Sequence, residues 1–396
     1  MNSQFENGTL FFYPEGAINT TNAPDVRKDL FSVYDACEKE HGSFPVVLDA
    51  EKLEYISSSG LRILLELRKR CKDARIINVS PAVYDVLSMT GFTDFYRVEK
   101  QYRKVSVDGC AIIGQGAKGT VYRLDADTIV KVFKSPDCLP DIQKEREFAR
   151  RAFVLGIPTA ITFDIVRVGE SFGTMFELLS ARSYSKLFRD EPENRALYVG
   201  EFAALLRKIH TTTVSKEEFP PIKQFVRDWL NTDKPYLSAE SLGKLDRLLT
   251  ELPEPPILLH CDFHSNNVMR QNGEAILIDM DTLSYGHPVT ELANVYITFV
   301  GFGEVDPGIV ESFLGLPYDT AVQIWNSFLP AYLQTDDASH VEDVERKARL
   351  IAYLRLLRHT VRRDDRDTEN GRATVALCLR KIDDLLQTID TLAFNL

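Results

Sequence analysis

The residues that most restrict the fold of this chain lie at positions 258–279, around a short turn signal. There LLHCDFHSNNVM (258–269) runs into RQNGE (270–274), and an Asn-Gly pair in such a place predicts a two-stranded hairpin. The hairpin would bring Asn267 and Asp279 to the same end of two paired strands. An amide oxygen and a carboxylate oxygen are ligands that Mg²⁺ prefers. This stretch therefore predicts β-structure that carries a site for a hard cation.

A zinc site is the competing interpretation, because the stretch also holds two histidines and a cysteine, which are common zinc ligands. The six cysteines of the chain are scattered, with no CxxC pair, so Cys261 has no near sulfur partner. Taken instead as His260-x-Asp262-x-x-x-x-Asn267, the spacing is that of a kinase catalytic loop. Asp262 would orient an acceptor hydroxyl and take its proton, while Asn267 and Asp279 would hold Mg²⁺. We favour this interpretation over zinc.

A glycine-rich turn supports the same chemistry further towards the N-terminus. Gly114, Gly116 and Gly119 have GxGxxG spacing, which lets backbone N–H groups approach phosphate oxygens. The residues that follow, TVYRL, continue as a strand rather than a helix, as in a kinase loop and unlike a dinucleotide-binding fold. Alone, the pattern would equally describe an ordinary glycine-rich hairpin turn.

A lysine and a glutamate complete the predicted nucleotide site. Lys131 lies mid-strand in TIVKVF and is preferred over Lys134, because a charge among apolar strand residues needs a partner. A kinase lysine binds the α- and β-phosphates of ATP and is held by a helix glutamate. In the next helix, expected at about 141–155, we rank Glu147 over Glu145.

Composition limits the function classes. The chain has 396 residues, 27% of them charged, and a net charge of −11, which argues against a nucleic-acid partner. We see no apolar run long enough to cross a bilayer and no export signal, so neither a membrane partner nor secretion is expected. Scattered cysteines fit reduced thiols and a cytoplasmic location.

The first hundred residues differ from the rest in their pattern of apolar and polar residues. They alternate short apolar strands such as FPVVLDA (44–50) with amphipathic helices, a pattern that predicts α/β structure with parallel strands. From about Tyr102 a meander of antiparallel strands begins, and long helices dominate after Leu179. We therefore expect domains at 1–102 and 103–396, the second with a sheet lobe (103–179) and a mainly helical lobe (180–396).

From about Val107 onwards, these motifs resemble the aminoglycoside phosphotransferase and choline kinase superfamily, which has a bilobal, protein kinase-like α+β fold. LLHCDFHSNNVM, LIDMDTLSYGHPVTELA, LLRKIH and LGIPTA carry the resemblance. It implies Asp262 as catalytic base, ATP and Mg²⁺ as cosubstrate and cofactor, and structural rather than ligating roles for the loop histidines. It also makes MFELL (175–179), with Glu177 and Leu179, the adenine-binding hinge. Cys261 stands where the family has Gly, and Glu291 where it has Asp.

The front of the chain resembles STAS domains, the α/β fold of anti-sigma factor antagonists, with a mixed sheet and flanking helices. LEYISSSGLRILL and GAINTTNAPDVRKDL carry this resemblance, which covers about residues 5–100. It implies a protein partner and makes Ser58 a candidate phosphoacceptor, although Ser57 replaces the family's Asp. Serines at this place also cap helices without being modified.

Three functions remain open from the sequence. The first is an ATP-dependent kinase of a small hydroxyl-bearing molecule, such as an amino sugar, a choline-like alcohol or a sugar, with the STAS domain as regulatory or docking module. The second is a protein serine kinase that acts on Ser58 or on a partner's STAS domain, and the third is a pseudokinase scaffold. The small-molecule kinase leads, because only residues 280–290 separate Asp279 from ELA. Acidic residues of GFGEVD (301–306) or RRDDRDTEN (362–370) could bind a cationic acceptor.

Overall fold

The computed structural model describes residues 1–116 and 118–395, apart from the side chains of Asp364 and Asp365. By its contacts the chain divides into an N-terminal unit and a C-terminal unit. The N-terminal unit comprises Met1–Ser106 and Ile165–Glu170, and the C-terminal unit comprises Val107–Asp164 and Ser171–Leu396.

The N-terminal unit is built on a five-stranded mixed sheet in the order β1-β2-β4-β6-β7. Strands β1 and β2 are antiparallel, whereas β2, β4, β6 and β7 run parallel, as the alternation of strands and helices predicts. A second, two-stranded sheet pairs β3 with β5. Its elements are β1 Asn2–Glu6, β2 Thr9–Tyr13, β3 Gly16–Ile18, α1 Ala23–His41, β4 Val46–Asp49, β5 Leu53–Ile56, α2 Ser58–Arg70, β6 Arg75–Val79, α3 Pro81–Met89, a 3₁₀ helix Phe92–Asp94 and β7 Arg97–Lys100.

Helix starts in this unit follow local chemistry. The Ser80 hydroxyl accepts a hydrogen bond from the Val83 N–H at 3.4 Å, and Pro81 occupies the first helical position of α3. In the same way Ser57 caps α2 by accepting from the Gly60 N–H. The apolar faces of these helices cover the sheet around Leu48, which is buried.

The first part of the C-terminal unit contains four neighbouring antiparallel strands in the order β13-β11-β10-β9, and helix α4. Strands β9 and β10 flank the glycine-rich turn, so the expected strand–glycine loop–strand arrangement is present; Ala117 in that turn lies outside the described residues. The elements from residue 103 to 177 are β8 Arg103–Lys104, β9 Ala111–Gln115, β10 Gly119–Arg123, β11 Thr128–Phe133, α4 Leu139–Val154, β12 Asp164–Val168 and β13 Ser171–Glu177. Of these, β8 and all but the first residue of β12 belong to the N-terminal unit, where the two strands pair in parallel.

The remainder of the C-terminal unit is mainly helical. Its strands β14, β16 and β17 form a small sheet, and β15 pairs with β18. The elements are β14 Arg182–Ser183, α5 Tyr184–Asp190, 3₁₀ Pro192–Asn194, α6 Arg195–His210, α7 Ile222–Asp233, α8 Ala239–Glu251, β15 Leu258–Leu259, β16 Val268–Gln271, β17 Glu274–Leu277, 3₁₀ Met280–Thr282, β18 Ser284–Tyr285, α9 Val289–Phe299, 3₁₀ Gly301–Gly303, α10 Pro307–Leu314, α11 Tyr318–Leu333, α12 Ala338–Val361, 3₁₀ Asp364–Asp367 and α13 Glu369–Leu386.

Helices α9 and α12 form the centre of this helical part. Every residue of α9 is buried, and α12 packs against α7, α9 and α13. Large buried aromatic side chains, among them Phe202, Phe263 and Phe328, pack together beside the loop at 260–267. Among the described residues, no helix is long and apolar enough to cross a membrane.

Candidate active site

The β16–β17 hairpin places the two expected metal ligands side by side. Asn272 and Gly273 have φ of 52° and 87°, the left-handed pair that a tight Asn-Gly turn requires. Pairing ends at the opposite end of the hairpin, where the Ile278 N–H donates to the Asn267 carbonyl at 2.9 Å. Asn267 and Asp279 therefore flank the same end of two paired strands, as the sequence predicts.

Asp262 lies within hydrogen-bond reach of Asn267. The Asn267 Nδ2 donates to the Asp262 carbonyl oxygen at 3.0 Å and to its Oδ2 at 3.3 Å, which leaves the amide oxygen available as the expected metal ligand. Burial opposes ionisation of Asp262, but the hydrogen bond and charge of His264, with Arg355, outweigh it and hold the pKa of this carboxyl far below its usual range. Asp262 is thus an anion at neutral pH.

Lys131 joins this group from strand β11. Its Nζ lies 2.9 Å from Asp279 Oδ1 and 3.2 Å from Glu145 Oε1. Burial disfavours the ammonium, but the two carboxylates outweigh that cost and raise the pKa of Lys131. The lysine is therefore fully charged where phosphates of a nucleotide would need it.

The expected partner, Glu147, is corrected to Glu145. Glu147 instead forms surface ion pairs with Arg150 and Arg151, which lower its pKa to about 2. The buried residues of α4 are Ile142, Glu145, Phe148, Ala149 and Ala152, so Glu145 belongs to the buried, largely apolar stripe of the helix. This stripe was the available signal, but the many charged residues of the helix obscured it.

Glu291 supports the catalytic loop despite being one methylene longer than the family's Asp. Its carboxylate accepts the backbone N–H of His260 at 2.7 Å and of Cys261 at 2.5 Å. It also lies 3.0 Å from the buried His210 ring, whose other nitrogen lies 2.6 Å from the Tyr332 hydroxyl. Glu291 is fully buried, and burial raises its pKa less than these partners lower it. The loop is therefore fixed by a buried, ionised carboxylate.

Cys261 has φ of 67°, a left-handed conformation that costs a non-glycine residue energy. A left-handed backbone is a conformational reason for the glycine that the family has at this position. Cys261 adopts the same backbone conformation at a cost in free energy. Besides Glu291, the Nη1 of Arg355 contacts this residue by donating to its carbonyl oxygen at 3.2 Å. Arg355, on helix α12, is a site residue that the sequence did not single out.

The glycine-rich turn is held by backbone bonds, with Gly116 N–H donating to Gly119 O at 2.9 Å. A Cβ on Gly119 would clash with the carbonyl oxygen of Val132, whereas one on Gly114 would meet only side-chain atoms at 3.6 Å. Lys118, within the turn, donates to Asp281, the second aspartate of LIDMD, which sequence reasoning also missed.

The expected hinge follows strand β13. Glu177 is exposed and pairs with Thr128, and Leu179 is half-buried. Between them the Leu178 N–H donates to the Asp127 carbonyl at 2.7 Å. The adenine-binding role of Glu177 and Leu179 remains a prediction.

The described histidines near the loop act as packing and hydrogen-bonding residues. His264 Nδ1 accepts the Asn266 N–H at 3.3 Å, and the two ring nitrogens of His287 lie 3.2 Å from the Val289 nitrogen and 3.4 Å from the Phe394 nitrogen. Among the residues described, no cluster of three or more His, Cys, Asp or Glu side chains could hold a metal ion. Asn267 and Asp279 supply two oxygen ligands, a set that fits Mg²⁺ completed by water and phosphate oxygens.

In the N-terminal unit, Ser58 is the first residue of α2 and is exposed, while Ser57 provides the cap. A phosphate on Ser58 would meet unpaired N–H groups of the first helical turn. The geometry permits modification of Ser58 without requiring it.

Comparison with known families matches both halves of the chain. Residues 109–323 match the phosphotransferase enzyme family (APH), and residues 1–105 match the STAS domain. BtrV of Bordetella bronchiseptica, named as a candidate anti-sigma factor antagonist, is 30% identical over 95 residues, which are 23% of this chain and 78% of that protein. The expected pairing of a STAS domain with a kinase-like phosphotransferase domain is thereby confirmed.

Solved structures with a similar architecture include an ADP-bound aminoglycoside phosphotransferase APH(2'')-Ib, at 16% identity and a TM-score of 0.45, covering 70% of this chain and 91% of that one. A choline/ethanolamine kinase family protein from Mesorhizobium loti has 14% identity and a TM-score of 0.47, covering 70% and 88%. The amicoumacin kinase hAmiN, solved with AMP-PNP, Ca²⁺ and Ami, has 17% identity and a TM-score of 0.45, covering 78% and 94%.

Proposed function

Because this chain belongs to the phosphotransferase enzyme family, we propose that it transfers the γ-phosphate of ATP, with Mg²⁺, to a hydroxyl of a small molecule. The observation that supports the proposal most directly is that four side chains lie close together, namely those of Lys131, Asp279, Asn267 and Asp262. Lys131 Nζ lies 2.9 Å from Asp279, and Asn267 Nδ2 lies 3.3 Å from Asp262 Oδ2. These residue types in this order are what phosphoryl transfer by positioning and charge stabilisation requires.

Each residue has a defined part in the proposed reaction. Lys131, held by Glu145, would bind the nucleotide phosphates, and Asn267 and Asp279 would hold Mg²⁺, which supplies neutralisation of phosphate charge when bound. Asp262 would accept a hydrogen bond from the acceptor hydroxyl and take its proton as the phosphoryl group arrives. The strongly lowered pKa of Asp262 makes it better at orienting the hydroxyl than at removing its proton early.

The segment between the metal aspartate and the helix that follows favours a small acceptor. Residues 280–290 contain the 3₁₀ helix Met280–Thr282, the two-residue strand β18 and the first residues of α9. Protein kinases use a longer segment here as a platform for a peptide. Amino sugars, choline-like alcohols and sugars are the starting acceptor classes, and we propose a regulatory or docking role for the STAS domain.

The test is Mg²⁺-dependent ADP release over a panel of amino sugars, choline-like alcohols, sugars and hydroxy acids. Asp262→Asn should lower turnover at least about 100-fold, because the hydroxyl loses its anionic partner. Asp246→Asn, at an exposed aspartate paired with Arg227 at 3.0 Å, is the matched control and should leave the rate unchanged. Wild-type turnover in Asp262→Asn would remove the basis of the proposal.

A second candidate function is phosphorylation of Ser58 or of a partner's STAS domain, favoured by the exposure of Ser58 at the start of α2. The intact mass of the protein after incubation with MgATP tests it directly. A phosphate gained by wild type and lost in Ser58→Ala, without turnover of any small molecule, would make this candidate the better one.

A further inference from the structure

Two arginines of helix α12 and the arginine that caps its C-terminus lie on one side of the helix, and the first of them is close to the proposed catalytic aspartate. Arg355, Arg358 and Arg362 are three and four residues apart, the spacing that aligns side chains along a helix. Arg355 Nη1 donates at 3.2 Å to the carbonyl oxygen of Cys261, the residue before Asp262. Its guanidinium lies over the Trp229 ring, 5.4 Å from the centroid. The arginine row therefore begins beside the proposed reaction centre.

Arg355 lies near the ionised Asp262, but the positive charge of Arg358 is poorly compensated. Among the side chains that the structure describes, the ion pairs of α12 are those of Arg346 and Lys347 with Asp343, and the buried Nε of Arg358 has no hydrogen-bond partner. Burial, together with the charges of Arg362 and Arg355, lowers the pKa of the Arg358 guanidinium. Half-buried like charges in mutual reach are costly and are relieved by a bound anion.

The acid that faces the row from helix α7 does not neutralise it. Asp233 is fully buried, and neither of its carboxylate oxygens has a hydrogen-bond partner among the described residues. Burial raises the pKa of Asp233 to about 8, against the attraction of Arg358, so it is mostly uncharged at neutral pH. Asp228, on the same helix, is exposed and acts on Arg358 only through space.

The two carboxylates of GFGEVD, which could have bound a cationic acceptor, make contacts within the helical part of the unit. Glu304 Oε1 accepts a hydrogen bond from the Tyr353 hydroxyl at 3.0 Å, whereas its buried Oε2 has no hydrogen-bond partner among the described residues. Asp306 caps α10 through the Gly308 N–H at 3.0 Å and accepts from Asn370 at 3.2 Å. The two acidic residues of GFGEVD therefore bond to neighbouring helices, and the charged group shown beside Asp262 on α12 is the guanidinium of Arg355.

We propose that the acceptor carries a carboxylate or phosphate close to its reacting hydroxyl, and that Arg355 and Arg358 bind this anionic group, with Arg362 at the rim. The inference rests on the proposed phosphotransferase function and narrows its acceptor class. A guanidinium offers paired N–H donors that match the oxygens of either anion. With the anion on this row, the neighbouring hydroxyl of a small hydroxy acid or sugar phosphate comes within reach of Asp262.

The experiment compares acceptors that differ in charge. Glycerate is matched with glycerol for the carboxylate, and glucose 6-phosphate with glucose and glucosamine for the phosphate. The wild type should favour the anion in at least one set by about tenfold or more in kcat/KM, the usual effect of a charge-assisted contact. Arg358→Gln should abolish that preference and leave the KM for MgATP unchanged. Arg346→Gln, on the same helix and paired with Asp343, should retain it.

A wild type that prefers the neutral or cationic acceptor in both sets would overturn the inference. An Arg358→Gln variant that keeps the preference for the anion but binds the nucleotide more weakly would also overturn it. Turnover of any acceptor that depends on Asp262 would uphold the proposed function even then. If no acceptor is consumed, tryptophan fluorescence of the Mg·AMP-PNP-loaded protein is titrated with 3-phosphoglycerate. A saturable fluorescence change that is lost in both Trp229→Phe and Arg358→Gln supports the anion site. No fluorescence change in the wild type, or a change that persists in Arg358→Gln, refutes it.

Discussion

Replacing Asp233 by asparagine should stabilise the C-terminal unit, and increasingly so as the pH rises. The carboxyl is fully buried at the end of α7, with both oxygens unpaired among the described residues. Asparagine has nearly the same shape and carries no charge at any pH. The variant therefore removes only the cost of ionising this side chain in a buried place.

The magnitude follows from the pKa of Asp233, which burial raises from an ordinary 3.8 to about 8. The unfolded chain releases this proton near pH 4 and the folded chain only near pH 8, so the wild type loses stability across this window as the pH rises. The full difference is worth about 6 kcal/mol, of which about 4 kcal/mol falls between about pH 5 and about pH 8. Above the folded-state pKa the difference between the proteins should level off.

Urea unfolding followed by tryptophan fluorescence measures this difference. Both tryptophans of the chain, Trp229 and Trp325, lie in the C-terminal unit, so the signal reports that unit alone. The free energy of unfolding of Asp233→Asn minus that of wild type should grow with pH between about pH 5 and about pH 8. Parallel pH profiles of the two proteins would refute the reasoning, because they would mean that Asp233 ionises freely in the folded state.

Three further substitutions test the proposed site. Glu145→Gln should lower kcat/KM for MgATP about 100-fold, as expected when one member of a buried ion pair is removed. Glu147→Gln loses only surface ion pairs and should stay within about twofold of wild type in the same steady-state assay. Equal losses in the two variants would contradict the assignment of Glu145. Cys261→Gly should raise the free energy of unfolding by about 0.5–1 kcal/mol in urea, because glycine adopts the left-handed conformation without strain; a lower stability would count against strain at this position. In calorimetry, Gly119→Ala should weaken AMP-PNP binding at least about tenfold, because the added Cβ clashes with the neighbouring strand. Gly114→Ala should bind AMP-PNP as wild type does. Wild-type affinity in Gly119→Ala would show that the turn adapts to the added Cβ.

Local sequence patterns predict the parts of the site that depend on neighbours in the chain. The Asn-Gly turn sets the register of β16 and β17, and that register alone brings Asn267 and Asp279 together. The strand after the glycines likewise separates a kinase-type loop from a dinucleotide-binding one. In both cases the deciding contacts join residues fewer than about twenty positions apart, where turn chemistry and strand pairing are read directly from residue type.

Contacts between distant segments could not be predicted in this way. Which glutamate of α4 meets Lys131 depends on which face of the helix is buried. The many charged residues of α4 itself obscure that face in the sequence. Arg355 reaches a carbonyl in the catalytic loop 94 positions away. Nothing in the neighbourhood of Arg355 in the sequence marks it, since basic residues at helical spacing more often form a solvated face.

The two departures from the family pattern, Cys261 and Glu291, are a single feature in three dimensions. The Cys261 N–H donates to Glu291 Oε1 at 2.5 Å, so the residue under backbone strain is bonded to the residue that replaces the usual aspartate. Arg355 binds the carbonyl of the same cysteine, so the backbone polar groups on both sides of its Cα are satisfied by charged partners. Charge-assisted hydrogen bonds of this kind are worth about 1.5–3 kcal/mol each, more than the strain of one left-handed residue. The loop can therefore keep a cysteine at a glycine position, because the longer acid beneath it and the arginine of α12 hold the conformation that glycine would adopt unaided.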